Sequence, residues 1–338
     1  MKTVPLRSLI LPLALAFIVA ACGTASTTQP TSDPAANLSI QLSWSYDYSS
    51  AGFYAAVKNG HYSQQNLNVT IASGGYVNGH YVDPVEAVTS GSTQFSEADA
   101  QSLLQARADG KPVVAIASVQ QRGPDAVITL ADKHIQRPQD LIGKTIAVND
   151  GGARQLFVAL LKSQGIDPSK VTIVPRTDFG VDPLIKGTVD ALDGWVTNEG
   201  VLVSEAGLQP SFMPFADYGI PSYNVLIITT TQMVQDHPDQ VERFLKASFA
   251  GWQDVIDNPQ KGADFTLAYN KDLVLSQQLT RLQASIPLIQ PSSTKIGGMD
   301  PAVWQQIYGT LTNAGSLTKP TDVTSAYTMQ FLKEIYPQ

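Results

Sequence analysis

Trp44, Tyr46 and Tyr48 place three aromatic rings within five positions, in the stretch Trp44-Ser45-Tyr46-Asp47-Tyr48-Ser49-Ser50. Rigid aromatic side chains stack on flat conjugated rings, which contributes about 0.5–1.5 kcal/mol beyond area burial. Tyr76, Tyr81, Trp195, Tyr218 and Tyr223 fall in other stretches that follow apolar runs. Polar acceptors recur in the same kind of place: Glu97 and Asp99, Gln120 at the end of a β-branched run, and Asn198-Glu199 just after Trp195. Carboxylates and amides there would accept hydrogen bonds from ring N–H groups or sugar-type hydroxyls, and they would repel an anion. Basic groups suited to a sulfonate or phosphate are sparse. Arg122, Arg154 and Arg176 are the candidates, with Gly151-Gly152-Ala153 as a helix start able to offer backbone N–H groups. The balance favours a flat, uncharged, hydroxyl-bearing heterocycle. Plainer readings stand beside each residue: an aromatic packs in a core, Asp99 caps a helix, and Gly151-Gly152 makes a tight turn. Losing Glu199 is expected to weaken ligand binding with little effect on stability.

Catalytic and metal chemistry find few candidates. The chain has one cysteine, Cys22, and four histidines, His61, His80, His134 and His237. They are scattered, with no His-Glu-x-x-His frame or i, i+4 pair, so no metal site, cofactor or catalytic group is expected. The 338 residues carry 29 acidic against 22 basic groups, a net charge of -7. An acidic chain lacks the basic patch of a nucleic-acid binder. Its length corresponds to about two globular units at roughly 150 residues each.

The elements that must position these residues alternate. Strand patterns fall at 38–44, 68–71, 94–95, 113–119 and 125–130, with helices at 51–58, 84–89 and 99–108 between them. A second cycle comes next: strands at 144–148, 171–174, 189–195 and 224–230, helices at 155–164 and 182–186. From Thr231 on, helical segments are predicted at 239–257, 259–269, 273–285, 301–314 and 325–336. Alternation of this kind predicts α/β architecture with mostly parallel sheets covered by helices. Two cycles and a tail predict two lobes, 38–128 plus 225–338 as lobe 1 and 129–224 as lobe 2, with the helical tail packed on lobe 1. Ligands of such sheets bind beyond the carboxyl ends of the strands, where the aromatics and carboxylates above fall.

The N-terminus has the layout of a bacterial secretion signal. Lys2 and Arg7 precede an apolar run from Leu9 to Ala21, which ends in Val19-Ala20-Ala21-Cys22-Gly23. The run is short of the roughly 20 residues that spanning a membrane requires. The tetrad Val-Ala-Ala-Cys resembles the lipobox of bacterial lipoproteins. That resemblance implies removal of residues 1–21 and acylation of Cys22, which then anchors the chain outside the cytoplasm. Residues 22–37 have no large apolar side chain and read as a flexible tether.

A wider resemblance runs along the chain in order. Leu42-Ser43-Trp44, Gly52-Phe53-Tyr54-Ala55-Ala56, Gly60-His61-Tyr62 and Asn66-Leu67-Asn68-Val69 open it. Gln105-Ala106-Arg107-Ala108-Asp109-Gly110-Lys111-Pro112, Asp140-Leu141-Ile142-Gly143-Lys144-Thr145, Gly187-Thr188-Val189-Asp190-Ala191 and Trp195-Val196-Thr197-Asn198-Glu199 continue it. His237-Pro238-Asp239-Gln240-Val241 and Arg243-Phe244-Leu245-Lys246-Ala247 close it. Over about residues 38–270 this resembles the solute-binding proteins of ABC importers for sulfonates, taurine, thiamine-type pyrimidines and riboflavin. The resemblance implies a two-lobed periplasmic-binding-protein fold of type II, a monomer, and a small-molecule ligand delivered to a membrane permease and its ATPase. It places Asn198 and Glu199 in the site, and with them the ligand set Trp44, Tyr46, Tyr48, Tyr81, Glu97, Gln120, Trp195 and Tyr223 is expected. Pyrimidine-binding members usually have Trp-x-Pro-Asn and a nearby His in the first loop; Trp44-Ser45-Tyr46-Asp47 lacks them. Among the family's ligands riboflavin fits best, as cargo rather than cofactor, with a thiamine-type pyrimidine or a sulfonate such as taurine as alternatives. A sensor lipoprotein without transport, or an enzyme making the thiamine pyrimidine on this fold, are further alternatives. The enzyme would need a cysteine-rich site that the chain lacks.

Overall fold

The computed structural model describes residues 1–2, 34–77, 79–150, 152–176, 180–292 and 294–337. The chain forms two compact units, Met1–Pro34 and Ala35–Gln338. Apart from Met1 and Lys2, the secretion-signal pattern lies outside the described residues, as do Cys22 and the tether up to residue 33. The strands and helices of the described chain, from Ala36 onward, all belong to the second unit. No helix among the described residues is long and apolar enough to cross a membrane.

Twelve strands are described: β1 (Ala36–Gln41), β2 (Leu67–Ala72), β3 (Gly75–Val77), β4 (His80–Val82), β5 (Phe95–Ala98), β6 (Val113–Gln120), β7 (Asp125–Leu130), β8 (Thr145–Val148), β9 (Thr172–Pro175), β10 (Ala191–Trp195), β11 (Pro210–Pro214) and β12 (Asn224–Thr230). Ten of them build two five-stranded sheets. The first has the order β2-β1-β5-β12-β6 and the second β11-β7-β10-β8-β9, while β3 and β4 pair with each other. In the first sheet β1 is parallel to β2 and β5, and β12 runs antiparallel to both β5 and β6. In the second, β8 is parallel to β9 and β10, and β7 runs antiparallel to β10 and β11. Each sheet is thus parallel except for one strand, the one that enters from the other sheet.

Period-two alternation sorts the side chains. Val127, Ile146 and Val148 face one core of the second sheet, with Leu156, Phe157 and Leu160 from the helix Gly152–Ser163. Ala126, Ile128, Ala147 and Leu192 face the other core, with Val181, Leu184 and Val203. The first sheet shares one large core with the C-terminal helices, through Phe244, Trp252, Leu282, Trp304 and Phe331. The helical tail therefore packs mainly on the first sheet.

Most predicted elements fall where their pattern put them. Strand β1 differs: it starts at Ala36, whose N–H donates to Asn66 O at 3.1 Å, and ends before Trp44. Two residues read as tether are thus ladder residues, because parallel pairing with Leu67 and Asn68 satisfies their backbone. Strand β11 lay hidden behind its two prolines. It is an edge strand, where a missing N–H is tolerated. The helix Leu275–Ile289 runs four residues past the predicted end, through Pro287. The last predicted helix shrinks to Gln330–Ile335.

The helix Ala51–Lys58 lies unusually close to the helix Pro238–Asp257. A Cβ on Gly52 would stand 2.1 Å from the Trp252 ring, and one on Gly251 would stand 2.2 Å from Gly52 O. Both glycines are required by this approach, and Phe53 and Trp252 fill the space around it with their rings 6.0 Å apart. Gly52→Ala is expected to destabilise the unit by at least the 1–3 kcal/mol typical of overpacking. Urea unfolding monitored by tryptophan fluorescence would show this as a lower midpoint; an unchanged midpoint would contradict the close crossing.

Candidate functional site

The carboxyl ends of β1, β5, β8 and β10 converge on one cleft, together with the amino end of the reversed strand β7. The cleft has a volume of about 250 Å³. From the first-sheet side come Ser43, Trp44, Asp47, Tyr48, Tyr81 and Asp99; from the second come Asp125, Asn149, Ala153, Asp193, Trp195, Asn198 and Glu199. A smaller chamber of about 150 Å³ adjoins it and shares Ser43, Asp99, Asp125, Ala153 and Trp195. The pair lies at the low end of the roughly 300–1,000 Å³ usual for small-molecule sites.

Of the residues expected from sequence, Trp44, Tyr48, Tyr81, Trp195, Asn198 and Glu199 border the cleft. Four do not. Tyr46 turns back into the first-sheet side, where its hydroxyl donates to Ile71 O at 3.1 Å and its ring meets Tyr54 and Tyr269. Tyr223 accepts from Asp300 N–H at 2.8 Å and packs beside Trp304. Gln120 is buried at the end of β6, paired in register with Asn224. Glu97 lies behind the first loop. It accepts from Ser50 Oγ at 2.8 Å, Ser43 N–H at 3.2 Å and Ser43 Oγ at 3.4 Å, and so holds the aromatic loop in place. Tyr48 ties that loop to the other side of the cleft: its hydroxyl lies 3.1 Å from Thr197 Oγ1, and its N–H donates to Gln278 Oε1 at 2.9 Å. On the hairpin, Tyr76 and Tyr81 form an exposed edge-to-face pair at 5.7 Å, and Tyr76 meets Trp44 at 6.4 Å.

Asp47, Asp125, Asn149 and Asp193 also border the cleft, and sequence reasoning did not single them out. Asp125 and Asn149 stand at strand ends, Asp193 lies within β10, and Asp47 caps the turn Tyr48–Ser50. Five carboxylates line the cleft, and no lysine or arginine does among the described lining residues. Asp99 caps the helix Ala100–Ala108, accepting from Ser102 N–H at 2.7 Å. Its Oδ1 would be 3.4 Å from a Cβ on Gly152, so a carboxylate already stands at the helix start where an anion would bind. Burial pushes the Asp99 and Asp125 carboxyls up from their ordinary value, and Asp193 up to about 6. For Asp193 the Asn149 N–H bond and the Arg176 charge pull the other way.

The basic candidates are all engaged. Arg122 pairs with Asp217 and Arg154 with Asp150, both on the surface. Arg176 is buried: it bonds Glu199 Oε1 at 2.8 Å, Asp193 O at 2.6 Å and Gly180 O at 3.2 Å. Glu199 Oε2 accepts from Trp195 N–H at 2.8 Å. Glu199 therefore shapes the loop that carries Trp195 as well as facing the cleft, and this corrects the expectation that its loss would leave stability unchanged. Removing one partner of a buried ion pair costs about 3–5 kcal/mol. Glu199→Ala is expected to lower the thermal midpoint of the unliganded protein markedly, as calorimetry would show; an unshifted midpoint would mean the pair bears no structural load.

Glu97 gives a pH signature. Burial pushes its carboxyl up to about 7, with the serine hydrogen bonds opposing. The folded state holds the proton more tightly than the unfolded chain, whose carboxyl titrates near about 4.3. Its contribution is therefore fully present below the unfolded value and is lost as pH rises towards about 7. Glu97→Gln is expected to flatten that decline. Denaturant unfolding at mildly acid and neutral pH measures it, and identical pH slopes in the two proteins would refute the assignment.

Comparison with known proteins gives three results. The NMT1/THI5-like family model matches residues 47–262. The riboflavin-binding protein RibY of Chloroflexus aurantiacus is 25% identical, over 97% of this chain and 98% of its own. The formylaminopyrimidine-binding protein of Halalkalibacterium halodurans is 24% identical over the same shares. Among solved structures, the periplasmic aliphatic sulphonate binding protein SsuA of Escherichia coli superposes with a TM-score of 0.68 at 13% identity, covering 86% of this chain and 91% of that one. The fold is that of the periplasmic binding proteins.

Proposed function

The chain belongs to the NMT1/THI5-like family, and from that premise we propose that it is the substrate-binding protein of an ABC importer, with a flat nitrogen heterocycle as its cargo. The observation that carries this reading is the composition of the cleft: Trp44, Tyr81 and Trp195 supply aromatic surface beside the buried Tyr48, and five carboxylates border it. Aromatic faces stack on a conjugated ring. Carboxylates accept its N–H and O–H donors and disfavour a sulfonate, whose charge would lie among them unpaired. The two full-length relatives bind, by their names, riboflavin and a formylaminopyrimidine. Riboflavin is the first choice, because several aromatic residues border the cleft and its ribityl hydroxyls would meet the carboxylates and Asn198. The aminopyrimidine is a second reading, supported by the small volume of the cleft.

In this reading the two sheets and their helices form two lobes that meet at the cleft. Cys22 carries the lipid that holds the protein on the outer face of the cell membrane, and the partner is a membrane permease with its ATPase. The protein binds and hands over its cargo as a monomer and makes no bond.

Titration of riboflavin with the protein tests the reading. Stacking on Trp or Tyr is expected to quench flavin fluorescence saturably, and high salt should have little effect because no ion pair with the ligand is involved. Absence of quenching together with tight, salt-sensitive binding of taurine would return the protein to the sulfonate branch.

A further inference from the structure

The described chain passes between the two sheets twice, from β6 to β7 and from β11 to β12. The two crossing segments touch at Gly123 and Ser222, where a Cβ on Gly123 would stand 1.8 Å from Ser222 Oγ. Asp125, the first residue of β7, fastens them. Its Oδ2 accepts from Ser222 Oγ at 2.5 Å and from Asn224 Nδ2 at 2.8 Å. The next residue, Val225, has φ of +50°, a strained conformation for a β-branched side chain, and it borders the smaller chamber. Strain of this kind persists only where neighbours hold it, and the Asp125–Asn224 bond is the adjacent restraint.

Asp125 also belongs to the cleft. It borders both chambers, and both hydrogen bonds from the crossing segment fall on the same oxygen, Oδ2. It pairs in antiparallel register with Trp195. Directly opposed residues on an antiparallel pair project from the same face with Cβ atoms about 4.5–5.5 Å apart. A ring stacked on Trp195 would therefore bring its edge to the Asp125 carboxylate.

We infer that Asp125 is a ligand-contacting residue at the crossing: Oδ2 clasps the two crossing segments while Oδ1 accepts an edge N–H of the bound heterocycle, the ring N–H of a flavin or the exocyclic amino group of an aminopyrimidine. This rests on the binding-protein reading and adds a selection rule to it. The site distinguishes ring systems with an N–H on the edge next to the stacked face from those without one.

The test uses the full chain and riboflavin, with formylaminopyrimidine as the second probe. Asp125→Asn retains an oxygen for Ser222 and Asn224 but presents an amide donor to the cleft. It is expected to weaken binding about tenfold or more, the loss incurred when a buried donor is left unsatisfied. Ser222→Ala removes one bond of the clasp and leaves Oδ1 in place, so its affinity is expected to stay within about threefold of wild type. Riboflavin methylated at its ring N–H should lose a similar tenfold or more on the wild-type protein, and equal binding would overturn the proposal even where Asp125→Asn does not fold. Undiminished binding by Asp125→Asn, or equal binding of the methylated flavin, would overturn the role of Asp125 alone. Equal losses in Asp125→Asn and Ser222→Ala would also overturn it, reducing Asp125 to a strut between the crossing segments. Wild-type protein that binds neither probe would overturn the binding reading itself.

Discussion

A guanidinium and a carboxylate taken out of water cost several kcal/mol each unless their remaining hydrogen-bonding sites are filled. Arg176 and Glu199, each under 5% exposed at the side chain, offset that cost by recruiting their surroundings. Arg176 spends its other donors on Asp193 O and Gly180 O, and Glu199 takes the Trp195 N–H. The result is a cleft wall whose backbone is held before any ligand arrives. Trp195, Asn198 and the end of β10 inherit their positions from this one pair. Opposite it, Glu97 does the same for the aromatic loop through Ser43 and Ser50. Two buried carboxylates, one ionic and one drawn towards neutrality, thus preorganise the two walls.

Preorganisation bears on affinity more than contact number does, because ordering loops at the moment of binding subtracts from the energy of association. Tyr48 shows the principle. Its backbone is fastened by Gln278 and its hydroxyl meets Thr197, so the buried ring holds the loop that carries Trp44 and Asp47 in place. The hairpin tyrosines differ: Tyr76 and Tyr81 are 69% and 55% exposed and rest mainly on each other and Trp44. The cleft therefore has rigid walls and one pliant rim.

Much of the fold was legible because its signals are local. Alternation in 38–44, the buried run 125–130 and the Asp99 helix start all act within a few residues. The family resemblance and the aromatic loop were equally visible. What could not be read were distant partnerships. The buried pairing of Glu199 was hidden because Arg176 lies 23 residues away, and the clasp of Asp125 was hidden because Ser222 is 97 residues away. Tyr46 and Tyr48 are two positions apart and share a residue type. Only the irregular loop between them and β1 decides that one packs against Tyr269 while the other faces the cleft. Side-chain direction in a loop has no period to betray it.

The position of β12 has a consequence for how the protein is made. It sits between β5 and β6 in the first sheet, yet the whole second sheet intervenes in sequence. Emerging from the amino terminus, the chain displays β5 and β6 with no strand between them, and their facing edges stay unpaired until more than a hundred further residues have appeared. The second sheet, built from one continuous stretch, can close first. Assembly of the first sheet then waits on a long-range insertion, the slow kind of step that high contact order imposes. During that wait the strand segments Phe95–Ala98 and Val113–Gln120 are open to pairing with other chains. The nested topology that sets both crossing segments beside the cleft thereby makes closure of the first sheet the late, long-range step of folding.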